Sequence, residues 1–249
     1  MILEKVTLMF KVLKYSVSAY FKNITLISFF SIPMLFALLI PLFIQTPVYL
    51  ALGGVFLRTG SIPDITSWDI GIMVFSFLVS LFLISFAMVN INLVIKSMRT
   101  SVLITHEVIS GIGKYTINVF WLFLTLQMII FILQFLLFGT QHASILYPIL
   151  TMLAALPFFY TPSALVIDDY RPWRAIQKSV SYSLSKLPLF VMWLVVGFLM
   201  LALNELVFYA LIPQPYSTYV VLFINSVIIM PFLIVLSTQV YLSKYTILP

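Results

Sequence analysis

The sequence predicts an all-α, polytopic integral membrane protein, and two observations carry this prediction. First, 63% of the 249 residues are hydrophobic and only 8% are charged, with a mean hydropathy of +1.17, which is far from the composition of a soluble domain. Second, six apolar runs are each long enough to cross a bilayer as a helix, which takes about 20 residues. Unpaired backbone groups are costly in lipid, so the spans must be helical, and the alternation typical of a barrel is absent.

The six predicted spans are residues 24–44, 70–95, 117–138, 145–167, 187–212 and 219–241. The connections between them are short, so residues 1–249 are expected to form one multi-pass domain in the cell membrane. Residues 1–23 contain no small-residue cleavage site and carry Glu4 in their charged part, so we expect this segment to be retained.

Lysine and arginine fall almost entirely on one side of these spans. Twelve of the thirteen basic residues precede span one, separate spans two and three or four and five, or follow span six, and only Arg58 lies on the other side. Because basic residues in short loops stay in the cytoplasm, both termini are predicted to be cytoplasmic.

The three basic stretches that precede a pair of spans resemble one another, which predicts three repeats of one amphipathic helix plus one helical hairpin, at approximately residues 1–95, 96–168 and 169–249. Each stretch has apolar residues at helical spacing opposite a basic face, although Gly111 and Gly113 weaken the middle copy. Each is expected to lie in the membrane interface or to extend a span.

These basic faces have two interpretations. They are topology signals that anchor the chain to anionic headgroups, or they converge to bind a phosphate-bearing lipid or a protein partner. The candidate headgroup-binding residues are Lys14, Lys22, Arg99, Lys114, Arg174, Lys178 and Lys186.

The segment from Pro157 to Lys186 resembles a known family. It combines a proline-bearing span that ends in Asp168 and Asp169 with the helix Arg174-Ala175-Ile176-Gln177-Lys178-Ser179 and a basic residue at the start of span five. This order is similar to that in the uncharacterised six-span inner-membrane proteins related to the membrane domain of some glycerophosphodiester phosphodiesterases. The resemblance implies a membrane-embedded module without catalysis of its own, and the phosphodiesterase domain has no counterpart in this sequence.

Glu205 is the only carboxylate deep within an apolar run, which makes it a candidate for proton- or cation-coupled transport. It precedes the turn centred on Pro215 by as many residues as Asn225 follows it, so the two are predicted to meet. Gln127 and Gln134 share a helix face and, with this pair, are candidates to line a transport path. Each of these polar residues also has a structural interpretation as a hydrogen bond between helices.

Other polar residues and the prolines have similar alternatives. Asn90 and Asn92 in span two are candidates for helix packing or for a polar path. Asp168 and Asp169 are expected to cap the third amphipathic helix. A magnesium-pyrophosphate site is disfavoured because Pro172 occupies the place of a third acidic residue.

The prolines inside the spans predict kinks: Pro33, Pro41, Pro148, Pro157, Pro162 and Pro231.

Motifs of soluble enzymes are missing from the sequence, including H-E-x-x-H, a P-loop and G-x-S-x-G. We therefore expect a non-catalytic membrane protein that interacts with lipid or is accessory to a membrane complex, without a metal or cofactor and without nucleic acid as a partner. The alternative is a small transporter or channel for a solute or lipid. Candidate partners are anionic or phosphate-bearing lipids, another protein, or a second copy of the chain.

Overall fold

The computed structural model describes residues 2–43, 48–50, 56–58, 66–100, 104–140 and 142–245. Within these ranges the side chains of residues 2–6, 41–43, 48–50, 56–58, 99–100, 104–110 and 112 are not described. The described chain is helical apart from one short antiparallel hairpin between the first two spans, in which Val48 is opposite Arg58. The all-α prediction therefore holds for the membrane-spanning part.

Ten α-helices and two strands follow one another along the described chain. They are α1 (Ile2–Lys22), α2 (Ile24–Phe43), β1 (Val48–Leu50), β2 (Phe56–Arg58), α3 (Ser67–Thr100), α4 (Ile104–Leu137), α5 (Ala143–Ala155), α6 (Thr161–Asp168), α7 (Pro172–Ser185), α8 (Leu187–Leu211), α9 (Tyr216–Ile224) and α10 (Met230–Leu242). A 3₁₀ turn, Leu156–Phe158, joins α5 towards α6, and a π-helical segment, Asn225–Ile229, joins α9 to α10.

Five helical segments are long and apolar enough to cross a membrane. Helices α1 and α2 pass the same test only together, so the number of spans is six if this bent pair is counted as one span. The five segments are Ser67–Met98, Gly113–Leu137, Ala143–Asp168, Leu187–Leu211 and Tyr216–Leu242. Length and hydropathy thus identify a multi-pass membrane protein.

Local sequence signals explain several helix ends. Thr66 and Asp69 bond reciprocally at the start of α3: the Asp69 carboxylate accepts from the Thr66 N–H at 2.9 Å, and the Asp69 N–H donates to Thr66 Oγ1 at 3.2 Å. Such a capping box satisfies N–H groups that lack a partner within the helix. Gly139 follows α4 with a φ of +75°, a conformation that glycine adopts without steric cost.

Two of the predicted kink regions are helix irregularities. Span four is interrupted by the 3₁₀ turn that contains Pro157, and span six contains its π-helical segment directly before the first turn of α10, where Pro231 lies. By contrast, α2 continues through Pro33 and Pro41. Proline removes one backbone hydrogen bond, but the consequence differs between these helices.

The three amphipathic stretches are not structured alike. The first and the third form the separate helices α1 and α7, each divided from the next span by a single residue, Asn23 or Lys186. The middle stretch is divided between the end of α3, which contains Lys96 and Arg99, and the beginning of α4, which continues into span three without a break; residues 101–103 lie outside the described ranges. Only two of the three stretches are therefore independent helices.

Helix α10 lies at the centre of the bundle, where it packs against α1, α3, α6 and α8. Eleven of its thirteen residues are buried. The aromatic rings of Tyr160, Tyr182 and Tyr241 meet at one end of it, with edge-to-face contacts of Tyr182 to the other two at 5.1 and 5.5 Å. These contacts join spans four and six to α7, so the core that positions the third amphipathic helix is aromatic.

Candidate functional site

Helix α1 has three distinct faces. One is buried against the bundle through Val12, Ser16, Ala19 and Tyr20. The second is apolar but exposed, and it consists of Phe10, Val17 and Phe21, of which Phe10 is 67% exposed. The third is polar, exposed and basic, with Lys11, Lys14, Ser18 and Lys22. A helix that needed only to pack against the bundle would not require the exposed apolar face.

Helix α7 repeats this division. Its buried face is formed by Ala175, Ser179, Tyr182 and Ser183. Its exposed apolar side contains Trp173 and Leu184, which are 71% and 64% exposed. Its polar side carries Arg174, Lys178, Ser181 and Ser185, all exposed. At 100° per residue the three faces follow one another in the same rotational order as in α1.

The correspondence between the two helices extends to single residues. Residues 9–22 of α1 and residues 172–185 of α7 align without gaps at a separation of 163 positions. Twelve of these fourteen pairs agree in being buried, half-buried or exposed; the exceptions are the pairs Tyr15 with Lys178 and Val17 with Val180. The single residue that precedes the next span falls at the same separation, since Asn23 corresponds to Lys186.

The orientation of α1 suits a membrane interface. The segment Thr7–Lys22 makes an angle of 87° with Ile24–Ile40 of α2. If α2 crosses the bilayer, α1 lies close to the membrane plane. An amphipathic helix in that plane buries its apolar face at the acyl boundary and presents its basic face to the headgroups.

The predicted headgroup-binding residues divide into several groups. Lys14, Lys22, Arg174 and Lys178 are exposed, and none of them has a carboxylate partner among the described residues. Lys186 is half-buried. Arg99 falls outside the described side chains, and Lys114 forms an ion pair that is described below.

Asp169 bonds to α4. Its Oδ1 accepts from Lys114 Nζ at 2.6 Å and from the Tyr115 hydroxyl at 2.9 Å. Donation by the Lys114 ammonium holds the pKa of the Asp169 carboxyl below its usual range. Asp169 also has a φ of +54°, a left-handed conformation in which aspartate is several-fold enriched. Lys114 is therefore exposed but paired with a carboxylate of the protein, unlike Lys14, Lys22, Arg174 and Lys178.

Asp168 bonds to the end of span six. Its carboxylate accepts from the Tyr241 and Tyr245 hydroxyls and from the Lys244 ammonium, and its side chain is only 5% exposed. Lys244 lies 3.8 Å from the centroid of the Tyr241 ring. Burial lowers the pKa of Lys244, although Asp168 opposes the shift. The contacts connect the end of α6 to the end of α10.

These contacts correct the prediction that the two aspartates cap the third amphipathic helix. The residue before α7 is Arg171, and no side chain caps this helix end. The aspartates are drawn instead to lysines and tyrosines on other helices, because charge-assisted bonds are stronger than neutral ones. Among the described residues, no three histidine, aspartate or glutamate side chains lie close enough to hold a metal ion.

The predicted pairing of Glu205 with Asn225 is wrong by one residue. Asn204 Nδ2 donates to Asn225 Oδ1 at 2.8 Å and to the Val221 carbonyl at 3.2 Å. Glu205 is exposed, because successive residues of a helix point about 100° apart. Counting equal numbers of residues on the two sides of the turn predicted the correct depth within the helical hairpin. It did not predict which side chain at that depth faces Asn225.

The four residues predicted to line a transport path are not brought together by the described contacts. Gln127 and Gln134 lie on α4, which packs mainly against α3 and α5, whereas α8 packs mainly against α9 and α10. Gln134 borders a shallow apolar groove at the end of α4 rather than a polar channel.

A buried polar cluster that the sequence did not specify joins three helices. Asn92 Oδ1 accepts from Ser163 Oγ at 3.0 Å and from Thr238 Oγ1 at 2.7 Å. All three residues are at most 2% exposed. The amide of Asn92 in an apolar run indicated a hydrogen bond between helices. Serine and threonine occur in several of the spans, so the sequence alone could not identify which hydroxyls pair with it. The cluster connects α3, α6 and α10, so helix packing is the role that these contacts support.

The comparisons with known proteins identify no relative: no family model, no curated protein and no solved structure matches this chain. The resemblance to the membrane domains that accompany phosphodiesterases therefore stays a prediction.

Proposed function

We propose that this chain is a non-catalytic membrane protein that binds anionic phospholipid headgroups through α1 and α7 on its cytoplasmic side. The observation that carries the proposal is the division of both helices into a buried, an exposed apolar and an exposed basic face. This division suits a helix that contacts the bundle, the acyl boundary and the headgroups at once.

The physical argument concerns what each exposed face does in a bilayer. Phe10 and Trp173 gain from leaving water at the acyl boundary. Lysine and arginine side chains beside them extend to the phosphates, and each contributes about 1 kcal/mol near an anionic surface. Lys11, Lys14, Arg174 and Lys178 have no carboxylate partner among the described residues, so their charge is available to lipid.

The proposal includes a repeated unit. The agreement in burial at 163 residues' separation supports the view that α1 with α2 and α7 with α8 are two copies of one unit, an interfacial helix followed by a span. The middle stretch would then be a third copy whose amphipathic helix has merged with its span in α4. Two such interfacial helices would give the protein two similar lipid-binding surfaces.

Native mass spectrometry on protein released gently from membranes tests this function. The wild type should retain phosphatidylglycerol in preference to phosphatidylcholine. The variant Lys11→Gln, Lys14→Gln, Arg174→Gln, Lys178→Gln should lose this preference several-fold. The matched control, Lys11→Arg, Lys14→Arg, Arg174→Lys, Lys178→Arg, keeps all four charges and should behave like the wild type. Equal retention of the two lipids by the wild type, or no effect of the glutamine variant, would contradict the proposal.

A further inference from the structure

One side of α4 carries a seam with the spacing of a coiled coil. The seam residues are separated alternately by four and three positions, and they are Phe120, Leu124, Gln127, Phe131, Gln134 and Phe138. A repeat of 3.5 residues is the pattern that places one helix against another over several turns. The sequence of α4 is therefore suited to pack a further helix along this seam.

The protein itself covers this seam only partly. Phe120 contacts Phe82 and Phe131 contacts Phe77, both on α3, at ring-centroid distances of 6.1 and 6.2 Å. The seam residues before Phe138 nevertheless remain half-buried, and Phe138 itself is 87% exposed. At its end lies an open apolar groove of about 520 Å³, bordered by residues that include Phe131, Gln134 and Phe138.

Gln127 and Gln134 have no hydrogen-bond partner among the described residues. Gln127 lies 14 residues beyond Gly113, where span three begins, and 10 before Leu137, where it ends, so it is close to the middle of the span. Interhelical bonds are the usual way in which such amides are satisfied at this depth. The amide of Gln127 therefore points to a partner within the bilayer, and Gln134, three residues before Leu137, lies on the same seam near the end of the span.

We propose that this partner is a second copy of the chain, packed through α4 about a two-fold axis parallel to the membrane normal. A carboxamide both donates through Nε2 and accepts through Oε1, so it is complementary to itself. A two-fold axis along the seam places each residue opposite its own copy. Gln127 then pairs with Gln127, Gln134 pairs with Gln134, and the apolar seam residues pack between them. The seam carries no charge that would repel a second copy.

Disulfide cross-linking in native membranes tests this arrangement, and the chain contains no cysteine that would interfere. Gln127→Cys and Gln134→Cys should each form a cross-linked dimer on mild oxidation. Thr125→Cys is the matched control, since Thr125 is exposed at nearly the same depth but lies about 200° around the helix from Gln127. It should not cross-link. Equal cross-linking at Thr125, or none at either glutamine position, would overturn the proposal, as would a cross-link to a different protein.

Energy transfer between labelled copies in liposomes gives a second test. Interhelical bonds of this type correspond to about a threefold effect on an equilibrium constant, so Gln127→Leu with Gln134→Leu should weaken dimerisation by about ninefold. Substitution with leucine at both positions keeps the seam apolar and its spacing intact. A dimerisation constant that does not change, or a wild type that stays monomeric at high protein-to-lipid ratios, would contradict the pairing. The result does not depend on the lipid-binding function proposed above.

Discussion

Asn204 donates a hydrogen bond from Nδ2 to Oδ1 of Asn225 over 2.8 Å, and the contact joins the end of span five to span six. Asn204 is only 7% exposed. The Asn225 oxygen belongs to the first residue of the π-helical segment. The hydrogen bond therefore ties the most irregular turn of span six to its neighbour.

Replacing Asn225 by leucine should destabilise the protein by about 0.6 kcal/mol and by no more than about 1.7 kcal/mol, the average and the maximum measured for interhelical hydrogen bonds in a membrane protein. Equilibrium unfolding in mixed micelles measures the change. Glu205→Gln is the matched control on the position next to Asn204, and it should leave the free energy of unfolding unchanged because Glu205 is exposed. A larger effect of Glu205→Gln than of Asn225→Leu would reverse this assignment of the partner.

The two buried asparagines of α3 provide a direct comparison of a paired and an unpaired amide oxygen. Asn92 Oδ1 accepts from two hydroxyls, whereas Asn90 Oδ1 has no partner among the described atoms. Asn92→Leu should lower the free energy of unfolding by about 1 to 3 kcal/mol, because the buried Ser163 hydroxyl loses its nearest acceptor. The Thr238 hydroxyl keeps the Ile234 carbonyl, at 2.8 Å, as an acceptor. Asn90→Leu should lower the free energy of unfolding by less, or should raise it. Equilibrium unfolding in mixed micelles measures both variants, and an equal loss of stability in the two would contradict the role of the Asn92 cluster.

The ion pair between Lys114 and Asp169 should make a small, pH-dependent contribution to stability. Because the folded-state pKa of Asp169 is lowered, its contribution is fully present above the unfolded value of about 3.9 and is lost as the pH falls through the folded value. The partners are about half exposed, so we expect at most about 1 kcal/mol.

Thermal unfolding of the wild type and of Asp169→Asn checks this expectation. Asparagine also tolerates the left-handed backbone at this position, so the substitution isolates the charge. The two proteins should differ at pH 7 and converge as the pH falls through the lowered folded-state pKa of Asp169. A difference that persists unchanged at low pH would show that the charge is not the cause.

Spin labels on single cysteines should report the three faces of α1 in a bilayer. A label at Phe10→Cys should be accessible to oxygen dissolved in the lipid. A label at Lys11→Cys should be accessible to a water-soluble nickel reagent, because the two side chains lie on different exposed faces of α1. Power saturation in liposomes measures both accessibilities. Identical profiles at the two positions would mean that α1 does not lie at an interface.

Much of the architecture follows from the sequence alone, because a bilayer imposes a length on every helix that crosses it. The apolar runs predicted α2 and the five segments that are long and apolar enough to cross a membrane. The helical spacing of apolar residues in the first and third basic stretches predicted α1 and α7. The same pattern left open whether a basic stretch lies in the interface or extends a span, because both kinds of helix share one periodicity, and the structure shows that the later part of the middle stretch extends span three.

Side-chain partners were decided only by the tertiary structure. Glu205 and Asn204 are neighbours in the chain, yet the 100° between them leaves one exposed and turns the other towards Asn225. Asp168 and Asp169 are equally adjacent, and the left-handed backbone at Asp169 helps to direct them to different helices. Composition and periodicity are properties of one segment and can be read along the chain. Pairing depends on the rotation and packing of two segments together, which no single segment specifies.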